Sequence, residues 1–212
     1  MTRLSPRLLL ICNPNNPTGT RLAPEQIIAM AASAPDTLVV VDELYAAFTG
    51  DSVLPLVDFM ATPNLLVLQS LSKTAGLAAL RIGFAVGHAA VIDRVGRVTG
   101  PYDVNSVAVA AAFAALADQS YVDAYVAEVL RARDWTVEAL QQAGVRHHCD
   151  GGNYLLIWPR QPVAEVDAAL RGEGILIRSM AGKPLIDGCF RVSIGTTSQM
   201  QRFMEAYLRL DP

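Results

Sequence analysis

Short and nearly continuous apolar runs recur along the first part of the chain. They cover residues 8–12, 38–42, 65–70 and 82–86, and each run has the length of a buried β-strand. Between the first two runs, residues 23–30 predict a helix with Pro24 in its first turn. Strands that alternate with helical or turn segments predict an α/β fold with a mostly parallel sheet and crossover helices.

The pattern changes to helical periodicity after residue 103. One helix is expected from a cap at Asp103 to about Ala117, with Phe113 in the core, and a longer one from about Tyr121 to Gln142. Further strands are predicted at 154–158, 175–178 and 189–194, with helices at 162–171 and from Thr197. We therefore predict a larger α/β domain over residues 1–110 and a small C-terminal α+β domain over residues 111–212.

Composition limits the class of function. With 212 residues, 52% of them hydrophobic and 17% charged, the chain has the composition of a soluble globular protein. A formal net charge of -3 gives no electrostatic case for binding nucleic acid or a membrane, and no apolar run is long enough to span one. The three cysteines have neither disulfide-framework nor zinc-site spacing, so we expect a cytoplasmic protein without a metal that binds a small molecule or another protein.

Lysine is scarce in this chain. Of the 17 basic residues only Lys73 and Lys183 are lysine, and the rest are arginine. Arginine can supply surface charge, but a guanidinium cannot replace a deprotonable primary amine in covalent chemistry. Only two residues are therefore candidates for such a role.

Three successive predicted strands end in polar groups. Residues 13–19 read Asn-Pro-Asn-Asn-Pro-Thr-Gly after the first strand, Asp42 ends the second with Tyr45 close behind, and residues 70–73 read Ser-Leu-Ser-Lys after the third. Arg81 precedes the fourth strand. Each feature alone is also compatible with a turn, a cap or an exposed lysine. Because ligands in open α/β sheets collect at the carboxyl ends of the strands, together they predict one binding crevice.

The order and spacing of these motifs are specific. Asn-Pro-x-Asn-Pro-Thr-Gly, Asp-Glu-x-Tyr-x-x-Phe and Ser-x-Ser-Lys-x-x-Gly-Leu-x-x-x-Arg-Ile-Gly resemble fold-type I pyridoxal-phosphate aminotransferases, most of all histidinol-phosphate aminotransferases and threonine-phosphate decarboxylases. The resemblance runs from about Leu8 to the C-terminus. It implies that residues 1–110 are a partial pyridoxal-phosphate-binding large domain that lacks its N-terminal portion.

The resemblance also implies the cofactor, pyridoxal 5'-phosphate, and residue roles around its ring. Lys73 would be the Schiff-base lysine and the acid and base at the substrate Cα. Asp42 would pair with the pyridine nitrogen and keep it protonated. Asn16 and Tyr45 would hydrogen-bond the phenolic oxygen of the cofactor, and Asn153 would line the same cleft.

The resemblance also implies residues that bind the anionic groups of the cofactor and the substrate. Ser70, Ser72 and Arg81 would contact the cofactor phosphate, Arg81 as the permanent cation. Arg191 would take the substrate α-carboxylate in a bidentate fork that lysine could not match. Arg178 would reach a distal phosphate of the substrate, although an ordinary surface role fits it equally well.

The activity implied is amino transfer from an amino acid or amino phosphate, such as histidinol phosphate, to the 2-oxo acid 2-oxoglutarate, by a homodimer. Two alternatives stay open, a decarboxylase of the threonine-phosphate type and an inactive or partner-dependent fragment. The second arises because full-length relatives carry a phosphate-binding turn and a ring that stacks on the cofactor before the segment that matches Leu8. Activity would then need this missing N-terminal segment.

Overall fold

The computed structural model describes residues 5–211, which form two compact units. The first unit holds residues 5–15 and 21–123, and the second holds residues 16–20 and 124–211. Each unit contains its own four-stranded sheet. The domain division predicted at residues 110 and 111 stays a prediction.

The first unit is built on a sheet with the strand order β1-β2-β3-β4. The first three strands are parallel and β4 runs antiparallel to β3, which confirms the prediction of an α/β fold with a mostly parallel sheet. Its elements are β1 (Leu8–Cys12), α1 (Pro24–Ala32), β2 (Leu38–Asp42), β3 (Leu65–Ser70), β4 (Gly83–Gly87), α2 (Ala89–Gly96) and α3 (Ser106–Ala117).

One face of this sheet is covered by α1. Ile27 and Ala31 of the helix are fully buried and pack against Val39, Val41 and Leu65 of the sheet. Leu9 and Ile11 of β1 join the same cluster, so the alternating Leu8 and Leu10 point to the opposite face. There the two leucines are 50% and 70% exposed, although parallel sheets normally have both faces covered.

The fourth strand differs from its prediction. It was expected as a buried strand at residues 82–86, but β4 is exposed along most of its length and pairs antiparallel with β3. The connection from β3 contains only a 3₁₀ turn at Ala78–Leu80, and a parallel strand normally requires a longer crossover. The chain therefore turns back on itself, and β4 becomes an edge of the sheet.

The helix α3 begins later than predicted. Asn105 caps it, because Asn105 Oδ1 accepts a hydrogen bond from Ala108 N at 2.8 Å, whereas Asp103 accepts one from Gly100 N. The prediction that Phe113 lies in the core is wrong, since this residue is 72% exposed. Only Ala108 and Ala112 of α3 are buried, against Ile82 and its neighbours, so the rest of an almost wholly apolar helix faces outward.

The second unit is an antiparallel sheet, in the order β5-β6-β8-β7, with helices beside it. Phe190, Phe203 and Tyr207 pack in its core, with ring centroids 5.7 to 6.4 Å apart. None of the helices within residues 5–211 has the length and apolar character needed to cross a bilayer. The elements that complete the chain are α4 (Gln119–Gln142), β5 (Arg146–His148), β6 (Tyr154–Trp158), α5 (Val163–Gly172), β7 (Arg178–Ser179), β8 (Phe190–Ser193) and α6 (Thr197–Leu210).

The strand predicted at residues 175–178 is reduced to β7. Gly174 adopts a φ of 73° and Ile175 N donates to Leu170 O at 2.9 Å, so this apolar segment ends helix α5. Its hydrophobic residues thus belong to a helix-terminating turn. The pairing with β8 begins only at Arg178.

Candidate functional site

A cavity of about 510 Å³ lies at the carboxyl ends of β2 and β3 in the first unit. Five residues predicted from sequence line it together, although they are spread over forty positions of the chain. They are Asp42, Ser70, Ser72, Lys73 and Arg81. Since two of these side chains are basic and one is acidic, the cavity wall favours an anionic ligand.

The Asp42 carboxylate is held by the backbone. Its Oδ1 accepts a hydrogen bond from Leu44 N at 3.0 Å, and its own carbonyl accepts one from Asn13 N at 2.9 Å. Its Oδ2 accepts no hydrogen bond from residues 5–211. The strand end therefore orients one fixed negative charge in the cavity wall.

The segment after β3 brings two hydroxyls and an amine together. Ser70 Oγ and Ser72 Oγ are 2.7 Å apart, and Ser72 N donates to Ser70 Oγ at 3.1 Å. Lys73 follows directly, is half-buried, and lines the cavity. The turn thus places neutral hydrogen-bonding groups beside a primary amine.

Arg81 occupies an unusual backbone conformation. Its φ of 57° and ψ of 41° lie in the left-handed region, which non-glycine residues seldom adopt. Its side chain is exposed and donates to Ala78 O at 2.8 Å. Backbone outliers of this kind cluster at functional sites, and Arg81 lies in the wall of the cavity.

Tyr45 is not among the residues that line the cavity. It is 4% exposed, and its carbonyl accepts a hydrogen bond from Phe48 N at 3.0 Å in the 3₁₀ turn after β2. The structure therefore places Tyr45 near Asp42 along the chain but inside the unit. Its implied contact with a cofactor stays a prediction.

The second unit contains a separate polar cluster. Arg191 on β8 donates from Nη1 to Asn16 Oδ1 at 2.6 Å, and its guanidinium carbon lies 5.2 Å from the ring centroid of Tyr154. The aromatic face and the amide together fix the guanidinium. Asn16 and Arg191 were both predicted from sequence, and the structure brings them into direct contact.

Arg178 is the cross-strand partner of Arg191 in the pairing of β7 with β8. Residues directly opposite each other in an antiparallel pair project from the same face, so two guanidinium groups share one side of this sheet. Asn153 precedes β6, and its carbonyl accepts a hydrogen bond from Ile194 N at 2.7 Å. The second unit thus holds four predicted residues, namely Asn16, Asn153, Arg178 and Arg191.

Sequence reasoning assigned no role to Glu43 or Asn13, although both are buried polar residues beside the motifs. Asn13 closes the loop after β1, since its side chain donates to Leu22 O at 3.1 Å and accepts from Leu22 N at 2.8 Å. Glu43 follows Asp42, and strand alternation alone could have placed it on the opposite face. Within residues 5–211 no group of three or more His, Cys, Asp or Glu side chains is arranged to hold a metal ion.

Comparisons with known proteins agree with this geometry. Residues 2–206 match the model of the family described as aminotransferase class I and II. Histidinol-phosphate aminotransferase 1 of Mannheimia succiniciproducens is 38% identical over 207 residues, which are 96% of this chain and 56% of that protein. The chain therefore spans less than three fifths of the length of this relative.

Solved structures give the same result. The histidinol-phosphate aminotransferase from Sinorhizobium meliloti, in complex with pyridoxal-5'-phosphate, has a TM-score of 0.85 and 25% identity. That similarity covers 99% of this chain and 58% of the other. The L-threonine-O-3-phosphate decarboxylase from Porphyromonas gingivalis has a TM-score of 0.81 and 27% identity, over 95% of this chain and 63% of the other.

Proposed function

The chain belongs to the class I and II aminotransferase family, and from that premise we propose that it is an aminotransferase with pyridoxal 5'-phosphate as cofactor. One observation carries the proposal: Lys73, Asp42 and Arg81 line a single cavity, with Ser70 and Ser72 between them. An amine, a carboxylate and a guanidinium are the groups that an aldehyde, a ring nitrogen and a phosphate require. The cavity of about 510 Å³ is within the range of small-molecule sites.

The cavity residues fit the cofactor by their chemistry. Arg81 with Ser70 and Ser72 would hold the phosphate, since a permanent cation and neutral donors suit a dianion. When bound, the cofactor supplies an electron sink for charge that develops at the substrate Cα. Asp42, fixed by Leu44 N, supplies the anion that keeps a ring nitrogen protonated.

Lys73 would attach the cofactor and move the proton at the substrate Cα. A primary amine can do both, because it is a nucleophile when deprotonated and an acid when protonated. Asn16 and Tyr45 are proposed as hydrogen-bonding partners of the phenolic oxygen. For these two residues the support is the motif alone.

The substrate we propose is an amino acid or an amino phosphate of the histidinol-phosphate type, with 2-oxoglutarate as amino acceptor. The Mannheimia succiniciproducens relative, 38% identical, carries that name, and the cross-strand arginines Arg178 and Arg191 support an anionic substrate. Like charges directly opposite each other on a sheet are unfavourable unless an anion compensates them. Arg191 would bind one carboxylate or phosphate, with Asn153 beside it and Arg178 reaching a more distant anionic group.

A titration with pyridoxal phosphate, followed by absorbance, tests the proposal. The wild type and Lys183→Ala should give the spectrum of a lysine-bound cofactor, and Lys73→Ala should not. Lys183 is the matched control because it is the second lysine of the chain. Equal spectra for all three proteins would refute the assignment of Lys73.

A decarboxylase of the threonine-phosphate type is a second candidate, favoured by the similarity to the Porphyromonas gingivalis protein. Product analysis separates the two activities. Glutamate formed from 2-oxoglutarate supports the transferase, whereas carbon dioxide without glutamate supports the decarboxylase. We propose a cytoplasmic location for either enzyme.

We further propose that activity depends on additional polypeptide, either a second copy in a homodimer or the part of the family fold that the chain does not span. Leu8 and Leu10 on the sheet and Phe113 on α3 leave apolar surface open in the first unit. Mixing the chain with an N-terminal fragment of a relative and assaying turnover tests this dependence. Specific turnover by the chain that changes neither with the fragment nor with the concentration of the chain itself would contradict it.

A further inference from the structure

The Glu43 carboxylate lies in the interior of the first unit. The residue is only 3% exposed, and no Lys, Arg or His within residues 5–211 forms an ion pair with it. Buried carboxylates are rare unless they are paired or hydrogen-bonded. A carboxyl group kept in such a position therefore calls for a specific physical reason.

Three neutral donors converge on this carboxylate. Val53 N donates to Oε1 at 2.7 Å, and Oε2 accepts from Ser52 Oγ at 2.6 Å and from Gln69 Nε2 at 3.1 Å. An ionised carboxylate accepts at all of its lone pairs, so it can satisfy the three donors at once. A glutamine at this position would turn an amide donor toward one of them.

The three hydrogen bonds join segments that are distant in sequence. Ser52 and Val53 end the loop that starts after β2, and Val53 belongs to the fully buried core against the sheet. Gln69 is the penultimate residue of β3. Glu43 therefore closes the loop of residues 44–52, which contains Tyr45, and ties it to the neighbouring strand.

Glu43 and Asp42 occupy opposite faces of the same strand end. Successive side chains alternate, so Asp42 reaches the cavity wall while Glu43 points into the unit. Glu43 N donates to Leu68 O at 2.9 Å, which is the last backbone bond between β2 and β3. The side-chain bond from Gln69 to Glu43 joins the two strands one residue further along β3, directly before Ser70.

We infer that Glu43 is the positioning residue of the cavity: its carboxylate sets the spacing between Asp42 on β2 and the Ser70–Lys73 turn on β3. The inference rests on the proposed function, because the cavity is taken to hold pyridoxal phosphate. Glu43 itself is buried and is not among the residues that line the cavity. Its effect on binding is transmitted through Gln69 and the loop that ends at Val53.

A donor swap tests the inference. Glu43→Gln should weaken the uptake of pyridoxal phosphate by about 10- to 100-fold, by analogy with residues that orient the ligands of a metal ion. Glu43→Gln combined with Gln69→Glu should restore most of the lost protection of the Val53 amide from hydrogen exchange, since donor and acceptor then exchange places. Uptake is not compared for the double variant, because Gln69 lines the cavity and a carboxylate there would repel the phosphate. Glu25→Gln, an exposed carboxylate on α1, is the matched control and should bind like the wild type.

Two results would overturn the inference. One is equal uptake by Glu43→Gln and the wild type, and the other is a double variant in which the Val53 amide exchanges as fast as in Glu43→Gln. Thermal unfolding of every variant is measured in parallel, because a merely structural role would lower the unfolding temperature and leave uptake by the folded protein unchanged. If Glu43→Gln does not fold, Ser52→Ala replaces it, since Ser52 is outside the cavity wall and that change removes one donor while leaving the bonds from Gln69 and Val53.

A measurement without cofactor separates this inference from the proposed function. If the wild type takes up no pyridoxal phosphate, the proposed function fails. Hydrogen exchange of the cofactor-free protein then tests whether Glu43 orders the loop and the strand end. The amides of Val53 and Leu44 should then exchange at least about tenfold faster in Glu43→Gln, while the amides of β1 stay unchanged. Unchanged protection at Val53 and Leu44 would overturn the positioning role independently of any ligand.

Discussion

At the scale of single residues, the cavity combines fixed and strained groups. Asp42 is oriented by a backbone N–H, and Ser70 and Ser72 orient each other. Arg81 is different, because its guanidinium is exposed while its backbone is held at a positive φ. The conformation that turns Arg81 into the cavity wall therefore has a local conformational cost, which can be measured by substitution.

Replacing Arg81 separates this backbone cost from the charge. The free energy of unfolding of Arg81→Gly should exceed that of Arg81→Ala by up to about 1 kcal/mol, because glycine adopts the left-handed region without a Cβ clash. Both variants should lose affinity for pyridoxal phosphate, since neither has a guanidinium. Denaturant unfolding and absorbance titration check the two parts. If the glycine variant is no more stable than the alanine variant, the backbone of Arg81 is not strained.

The residues of the cavity could be predicted from the sequence, but their supporting contacts could not. Asp42, Lys73 and Arg81 stand in motifs whose spacing is fixed by strand ends, so the motifs identified them. The supporting role of Glu43 could not be predicted, because its partners Ser52 and Gln69 are brought to it by tertiary packing. The pattern of one strand carries no information about which loop packs behind it.

At the scale of elements, the hydrophobic runs predicted the positions of most strands correctly. The errors concern how a segment pairs with its neighbours. The runs at β1, β2 and β3 agree with the structure residue by residue. The direction of β4 depends on the length of the segment that connects it to β3. The apolar segment before β7 forms the turn that ends α5 instead of a strand. Apolar content indicates burial in an element but does not determine the element's neighbours.

A charged contact between two helices of the second unit gives a prediction at this scale. Thr197 N, the Arg131 guanidinium and the Thr197 hydroxyl lower the pKa of Glu128 below its ordinary value of 4.5. Thr197 N and Thr197 Oγ1 donate to Glu128 Oε1 at 2.9 and 3.0 Å, and Arg131 donates to Oε2 at 2.7 Å. The ionised carboxylate thus holds α4 against the first turn of α6.

The sign of the pH effect follows from the lowered pKa. A group with a lower pKa in the folded state stabilises the fold above its unfolded value, and this contribution disappears as the pH falls through the folded value. The wild type should therefore be more stable than Glu128→Gln above about pH 5, and the difference should shrink below pH 4.5. Thermal unfolding of both proteins across this range checks it, and a constant difference would contradict the assignment.

At the scale of the whole molecule, each of the two units has its own sheet and core, and most of the large apolar side chains exposed within residues 5–211 belong to the first unit. Val109, Phe113 and Leu116 of α3 are all exposed, and they line an apolar cavity of about 290 Å³ together with Phe84 of β4. A helix that is apolar on all sides normally lies inside a protein. Together with the length of the relatives, this surface is the physical basis for expecting further polypeptide on the first unit.

The open surface of α3 should determine how the isolated chain behaves in solution. Val109→Gln with Phe113→Gln should remove most of the binding of a hydrophobic fluorescent dye and reduce self-association in sedimentation, because a contiguous apolar patch drives both. Leu185→Gln is the matched control: Leu185 is 99% exposed in the second unit, and single exposed apolar residues are normal. If the control lowers dye binding as much as the α3 variant, the patch is not the cause. A fragment of a relative that covers α3 should lower dye binding of the wild type and leave that of the α3 variant nearly unchanged, which would assign the surface to the rest of the family fold.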